Sequence, residues 1–205
     1  MRVSVLASGR GSDFQSIIDG ISKKEIDAEV VLLISDDPKA KAIERARKND
    51  IPYKVISVSA HTNRLDHDRA IKEALDDAGV DLVVLAGYMR IIKDKKFLDE
   101  YCGKMINIHP SLLPSFPGAH AQKDAFERGV KISGYTIHFV DNSLDGGAII
   151  HQEAVDIADC KSADEVASRI LEREHVGLPK IVNSFSKGRY VVLGKRTEYA
   201  PNKRS

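Results

Sequence analysis

Asp81-Leu82-Val83-Val84-Leu85-Ala86 reads as a strand with no wet side. Five apolar residues in a row show none of the alternation of a half-exposed strand. A parallel strand covered by helices on both faces requires that pattern. The flanks agree. Residues 64–78 carry apolar side chains at helical spacing (Leu65, Ala70, Ile71, Ala74, Leu75) and stop at Gly79. A helix feeding an all-apolar strand is half of a βαβ unit, and the chain reads as α/β.

Working back towards the start, residues 2–7 form a first strand that runs into Ser8-Gly9-Arg10-Gly11-Ser12-Asp13 and then a helix through Phe14, Ile17, Ile18 and Ile21. A glycine turn at a helix start presents backbone N–H groups to an anion. The same turn also serves as an ordinary tight βα connection. Phe14 stands where a dinucleotide fingerprint has its third glycine, so the motif is incomplete. Residues 29–34 read as a second strand. Asp37-Pro38 reads as N-cap and first residue of a helix over residues 39–49, and residues 53–57 as a third strand.

Working forward, Gly87-Tyr88-Met89-Arg90-Ile91-Ile92 follows the central strand at the sheet's carboxyl edge, where open α/β sheets bind ligands. Core packing explains Met89, Ile91 and Ile92 equally well. Next comes Ile106-Asn107-Ile108-His109-Pro110-Ser111-Leu112-Leu113-Pro114. Two residues apart on a strand end, Asn107 and His109 share a face. The prolines then stop regular structure. An amide beside an imidazole can stabilise a developing oxyanion and move a proton near neutral pH. A helix near residues 119–127 follows, then alternating strands at 133–140 and 148–155, joined by Asp141-Asn142-Ser143-Leu144-Asp145-Gly146-Gly147. Strands joined this closely imply an antiparallel addition to the sheet. Ser162 starts a helix that runs towards Val176, with Pro179 bending or restarting it. Residues 189–193 suggest a final strand, and 195–205 a frayed polar tail.

Composition limits the alternatives. The chain has 205 residues, 42% hydrophobic and 30% charged, which suits one soluble domain. Thirty-one basic against 30 acidic side chains leave a net charge of +1 and no electrostatic case for nucleic acid. Cys102 and Cys160 form no metal motif and fit a reducing compartment. Neither a signal-peptide pattern nor a membrane-length apolar run is present, so the expectation is a cytoplasmic protein without nucleic-acid or membrane partners.

The blocks Ser8-Gly9-Arg10-Gly11-Ser12, Ala86-Gly87-Tyr88-Met89-Arg90-Ile91, Asn107-x-His109-Pro110-Ser111-Leu112-Leu113-Pro114, Phe116-Pro117-Gly118-x-His120, Asp145-Gly146-Gly147 and Glu174-His175 together resemble the folate-dependent formyltransferases, in particular the branch acting on glycinamide ribonucleotide. They run in order from residue 8 to residue 175 with near-family spacing. The length fits the branch with one domain, taken as residues 1–194, rather than branches with an additional C-terminal or N-terminal domain. The resemblance implies a Rossmann-like formyltransferase fold: a mostly parallel sheet with helices on both faces and an antiparallel addition near the C-terminal part. It implies 10-formyltetrahydrofolate as co-substrate, glycinamide ribonucleotide as acceptor, no metal, and a monomer or homodimer.

It also implies roles. Asn107, His109 and Asp145 would be catalytic, with Asp145 supporting the protonated imidazole and a relay water. Gly11, Ser12 and Asp13 would hold the ribonucleotide phosphate and Glu174 its sugar or glycinamide. Met89, Arg90, Ile91, Ile92, Asn107 and the loop Asp141, Asn142, Ser143, Leu144, Asp145 would bind the pterin, and Arg64 the folate's glutamate tail. In isolation, Asp145-Gly146-Gly147 is a simple turn and Glu174 a solvated helix position. The family usually has Asn where this chain has Asp13. A carboxylate beside a phosphate is unfavourable by roughly 1 kcal/mol at partly solvated distances, unless Asp13 turns away as an N-cap. His120 and His175 lie beside family motifs and suit supporting roles, while His61, His67, His138 and His151 read as packed or surface residues. Two readings compete: a nicotinamide-dependent oxidoreductase using Asp36-Asp37 to read a ribose, and a nucleotide-binding protein without catalysis.

Overall fold

The computed structural model describes residues 1–202. Seven strands form one sheet in the order β3-β2-β1-β4-β5-β6-β7. β1 (Arg2–Leu6), β2 (Glu29–Ser35), β3 (Tyr53–Val55), β4 (Leu82–Leu85) and β5 (Met105–His109) are parallel. β6 (Ile132–Phe139) and β7 (Ile149–Asp156) add antiparallel to that edge, as the close spacing of the two runs predicts. The all-apolar run is central, with β4 lying between β1 and β5 and every residue buried.

Both faces of the sheet are covered, which is why β4 needs no polar residue. On one face Val3, Val5, Val84, Ile106 and Ile108 pack with Phe14 and Ile17 of α1 (Ser12–Ser22), Ala42 and Ile43 of α2 (Lys41–Lys48), Ala125 of α5 (Ala121–Glu127) and Val166 and Ile170 of α6 (Ala163–Lys187). On the other, Leu6, Val83, Leu85 and Met105 pack with Ile71 and Leu75 of α3 (Arg64–Asp77) and Phe97 and Tyr101 of α4 (Lys95–Glu100). Alternate residues of one strand therefore serve different layers. Met105 faces α3 and α4, so the period of two puts Asn107 and His109 on that same side.

Strand order reverses between β1 and β4, and a crevice opens there at the carboxyl edge. The turns leaving the two strands are tied across it. The Ser8 N–H donates to the Gly87 carbonyl at 3.1 Å and the Met89 N–H to Ser8 Oγ at 3.0 Å.

Three expectations need correction, and one helix is an addition to them. α2 begins at Lys41, after Ala40, because Asp37 spends its carboxylate on its own turn, accepting from the Lys39 N–H at 2.8 Å. α4 was not foreseen; Asp94 caps it, accepting from the Phe97 N–H at 2.9 Å. α6 neither stops at Val176 nor restarts at Pro179 but runs through to Lys187. Pro179 is buried beside Gly20 of α1, where an added β-carbon would lie 3.6 Å from Pro179 Cβ, so packing outweighs the missing N–H. The stretch read as a frayed tail forms β9 (Arg196–Pro201), paired antiparallel with β8 (Gly188–Leu193) through a two-residue turn at Gly194 and Lys195. Residues 203–205 lie outside the described part. No helix among the described residues is long and apolar enough to cross a membrane.

Candidate active site

A cleft of about 650 Å³ follows the carboxyl edge. Residues 8–13 of the glycine turn, 85–92 after β4, 107–110 at the end of β5, and Leu171 and Glu174 of α6 line it, with Gly118 and Asp145 between. The cleft thus gathers Gly11, Ser12, Asp13, Met89, Arg90, Ile91, Ile92, Asn107, His109, Asp141, Ser143, Leu144, Asp145 and Glu174. Arg64 and Asn142 do not line it. Arg64 is exposed at the start of α3, near enough to Tyr88 for its charge to act on that hydroxyl.

At the centre, two strand ends meet. Register pairs Asn107 with His138 and His109 with Thr136, so all four side chains share one face. His138 Nδ1–H donates to the Phe139 carbonyl at 2.8 Å, which leaves its Nε2 as an acceptor. That lone pair takes a hydrogen bond from Asn107 Nδ2 at 3.1 Å, fixing the amide with its second N–H free. Burial pushes the His138 imidazole below its usual pKa, against the bond to Phe139 and the charge of Asp145, and a neutral ring is what this acceptor role needs. His138 is the residue that sequence reasoning passed over. Its place opposite Asn107 depends on the β5–β6 register, and the alternation of residues 133–140 was the only signal of its face.

His109 is held from its other side. Its Nε2 faces the Phe116 carbonyl at 2.8 Å and so carries a hydrogen. Its Nδ1 lies 3.6 Å from Asp145 Oδ2, while Asp145 Oδ1 lies 3.9 Å from His138 Nε2. One carboxylate thus stands between two imidazoles. The Gly118 N–H donates to Asp145 Oδ2 at 2.7 Å and anchors it. Phe116 and Asp145 both have left-handed backbones, with φ of 53° and 50°. The proline-rich loop has its buried polar groups satisfied by the sheet beneath it: Thr136 Oγ1 donates to the Ser111 carbonyl at 2.7 Å and accepts from the Leu113 N–H at 3.0 Å.

At one end of the cleft the 87–92 loop is pinned. Asp68 accepts from the N–H groups of Lys93 at 2.6 Å and Asp94 at 3.0 Å. Arg90 Nε donates to Asp36 Oδ2 at 2.7 Å. Burial pushes the Asp36 carboxyl up, but the nearby Ser8 hydroxyl and the bonded Arg90 guanidinium outweigh it and hold the group below the usual range. Asp36 is therefore engaged with a neighbouring arginine and Asp37 with its own turn, which takes from the oxidoreductase reading both of its ribose-binding acids. Met89 and Leu144 leave 60% and 55% of their surface exposed at this end, apolar area suited to a flat ring.

At the other end the glycine turn enters α1 directly. Gly11 is the N-cap, with a left-handed φ of 64°, and no side chain caps the helix. Asp13 is thus not an N-cap; it sits in the first turn, facing Glu174 and His175 of α6. Glu174 is buried, not solvated, because it continues the inner stripe Val166, Ile170, Glu174, Leu178. His120, at the start of α5, is exposed and does not line the cleft.

Residues 1–182 match the Formyl transferase family. A phosphoribosylglycinamide formyltransferase of Bacillus subtilis (strain 168) is 42% identical over 184 residues, covering 90% of this chain and 94% of that one. A trifunctional purine biosynthetic protein adenosine-3 of Drosophila melanogaster is 43% identical over 189 residues, 91% of this chain but 14% of that protein. The crystal structure of glycinamide ribonucleotide transformylase 1 from Symbiobacterium toebii superimposes with a TM-score of 0.93 at 40% identity, covering 97% of this chain and 93% of that one. With the sheet, the cleft and these likenesses together, the chain belongs to the formyl transferase family.

Proposed function

We propose that this chain transfers the formyl group of 10-formyltetrahydrofolate to the amine of glycinamide ribonucleotide, giving formylglycinamide ribonucleotide and tetrahydrofolate in purine biosynthesis. One observation carries the reading: Asp145 stands between His109 and His138, beside an Asn107 amide that lines the cleft. Of the proteins named above, two are a phosphoribosylglycinamide formyltransferase and a glycinamide ribonucleotide transformylase by name, and the third is a purine biosynthetic protein.

In this reading the ribonucleotide lies with its phosphate on the turn of Gly11, Ser12 and Asp13 and its sugar or glycinamide against Glu174. The pterin lies along Met89, Arg90, Ile91 and Ile92, with Asp141, Asn142, Ser143 and Leu144 closing over it and Arg64 at the folate's glutamate tail. The formyl carbon then sits over Asn107. The amine nitrogen attacks that carbon, a C–N bond forms, and the carbonyl electrons move to oxygen. The free N–H of Asn107 and a proton on His109 stabilise the oxyanion. A proton leaves the attacking nitrogen by way of Asp145 or a water it orients. The intermediate collapses, the bond to the folate nitrogen breaks, and that nitrogen takes up a proton. Removing one oxyanion donor costs about 3–4 kcal/mol of barrier. We place the reaction in the cytoplasm, where the free cysteines Cys102 and Cys160 stay reduced.

A spectrophotometric assay with 10-formyltetrahydrofolate, or a dideaza analogue, tests the proposal. Formyl loss from the donor is expected only when glycinamide ribonucleotide is present. Donor consumption without the ribonucleotide, or tight NAD binding without folate binding, overturns it.

A further inference from the structure

Two acidic side chains, Asp13 and Glu174, line the end of the cleft assigned to the ribonucleotide. Glu174 is 95% buried, lines the cleft, and has no hydrogen bond or ion pair with the described residues. The Asp13 side chain is 13% exposed, and its Oδ1 is sealed from solvent without a hydrogen-bond partner. The polar atom it faces, His175 Nε2, lies 3.7 Å away and is itself buried without a partner. Two carboxyls thus share a pocket at the mouth of an anion-binding turn.

The surrounding charges do not neutralise the pair. From the turn, Arg10 acts on Asp13 and lowers its pKa, but burial outweighs it and lifts the group to about 6. From α6, burial raises Glu174 well above the usual carboxylate range, and the Asp13 charge raises it further. Burial and the Arg45 charge lower the His175 imidazole against an opposing Asp19, which weakens this ring as a cation for Asp13. Arg45, from α2, directs its guanidinium to the Arg10 carbonyl at 2.9 Å and to Gln15 Oε1 at 3.0 Å instead. Two carboxylates and a phosphate dianion in one buried pocket repel one another. A protonated carboxyl turns the same contact into a donor.

We propose that Asp13 receives the ribonucleotide as a carboxylic acid, its O–H donating to a phosphate oxygen while Glu174 stays protonated beneath it, so that binding takes up a proton from solvent. This rests on the phosphate lying at the glycine turn, as assigned above. An asparagine at this position offers an N–H donor at any pH. The carboxyl makes affinity for this substrate follow proton concentration.

Calorimetric titration of the whole protein with glycinamide ribonucleotide, without folate, tests it. Two phosphate-free buffers of different ionisation enthalpy at about pH 7.5 give the number of protons taken up. The Asp13→Asn variant sets the baseline, including any proton taken by the substrate's own phosphate, and Asp13→Ser replaces it should the first variant not fold. The wild type is expected to take up close to one proton more than the variant. Its affinity should fall up to tenfold more per pH unit above about pH 6.5, as the binding-competent fraction shrinks. Equal proton uptake and parallel pH profiles overturn the proposal. The site assignment is read separately, from amide NMR shifts of Gly11, Ser12 and Asp13 on adding the ribonucleotide to wild type. If the ligand binds and these amides do not move, the phosphate lies elsewhere and the assignment falls, whatever the proton count.

Discussion

Asp145 and Phe116 hold left-handed backbone angles that side chains rarely adopt, and both direct an oxygen at His109. Asp tolerates that region better than most residues because its short carboxylate bonds locally. Asp145→Asn keeps the shape and removes the charge between the imidazoles. Its kcat should fall by about 10²–10³-fold with substrate affinities little changed, since the lost interaction matters most as charge develops. His109→Ala should be as poor, and the double variant little worse than either, because the residues act as a unit. Steady-state kinetics checks this, and full activity in His109→Ala removes the catalytic assignment. Asp13 gives a second prediction, on stability. Its folded-state pKa lies above the ordinary carboxylate value, so the folded chain binds more protons than the unfolded one between about pH 4 and 6. Stability from this group is therefore lost as pH rises through that window. Asp13→Asn should match wild type near pH 4 and exceed it by about 1–3 kcal/mol above pH 6, read from denaturant melts at several pH values. Of this centre, Asn107 and His109 were legible because their spacing matches the strand period. His138 and the Asp13–His175 approach were not, because they depend on how separate elements pair.

Among the elements, α6 shows how one bare position sets a packing distance. A β-carbon at Gly177 would lie 1.7 Å from the Tyr135 hydroxyl, which donates to Glu153 Oε2 at 2.9 Å. Gly177→Ala forces the helix off β6. It should destabilise the fold by about 1–3 kcal/mol, lowering Tm by about 2–4 °C per kcal/mol for a chain of this size. Tyr135→Phe added to it should return part of the loss, since the hydroxyl is the nearest obstacle; differential scanning calorimetry reads both. The register that buries Gly177 also buries Glu174 and directs it into the cleft. The start of the helix was legible, since Ser162 caps it, accepting from the Glu165 N–H at 3.2 Å; the burial of Glu174 was not, because a charged residue breaks the apolar stripe of Val166, Ile170 and Leu178. The helix's continuation through Pro179 was not legible either, because local propensity argues for a break and only contact with α1 overrides it. α4 escaped for a related reason. At six residues it is too short to show a period, and its one strong signal, Asp94 as N-cap, resembles any loop aspartate.

For the molecule as a whole, sheet order explains why one cleft receives turns from distant parts of the chain. The reversal between β1 and β4 parts the turns that follow them, and the antiparallel β6 returns His138 to the end of β5. The fold class was legible in the all-apolar β4. At the C-terminal end β8 was legible as a strand over residues 189–193, but its partner β9 was not, because a polar strand with exposed residues carries little hydrophobic pattern. Yet the β8–β9 hairpin reaches the site. Lys195 Nζ donates to the Gly146 carbonyl and lies 3.7 Å from Asp141 Oδ2, and Thr197 Oγ1 donates to the Ile149 carbonyl at 2.9 Å. Removing residues 195–205 should leave the seven-stranded sheet folded, with a melting temperature within a few degrees of wild type. KM for the folate should rise about tenfold as the 141–147 loop loses its brace, worth one or two hydrogen bonds. Circular dichroism and steady-state kinetics on the truncated chain separate the two effects. An unchanged KM removes the hairpin from any role in the site.

That brace also sets an order of events during synthesis. Chain emerges from the ribosome in sequence order, so all seven strands of the sheet and α6 are out before Lys195 and Thr197 appear. A nascent chain at that stage has its histidines, its asparagine and its aspartate, but a loop that nothing yet steadies from outside. The loop assigned to the pterin is then steadied only after the strands and helices that frame the cleft have been made.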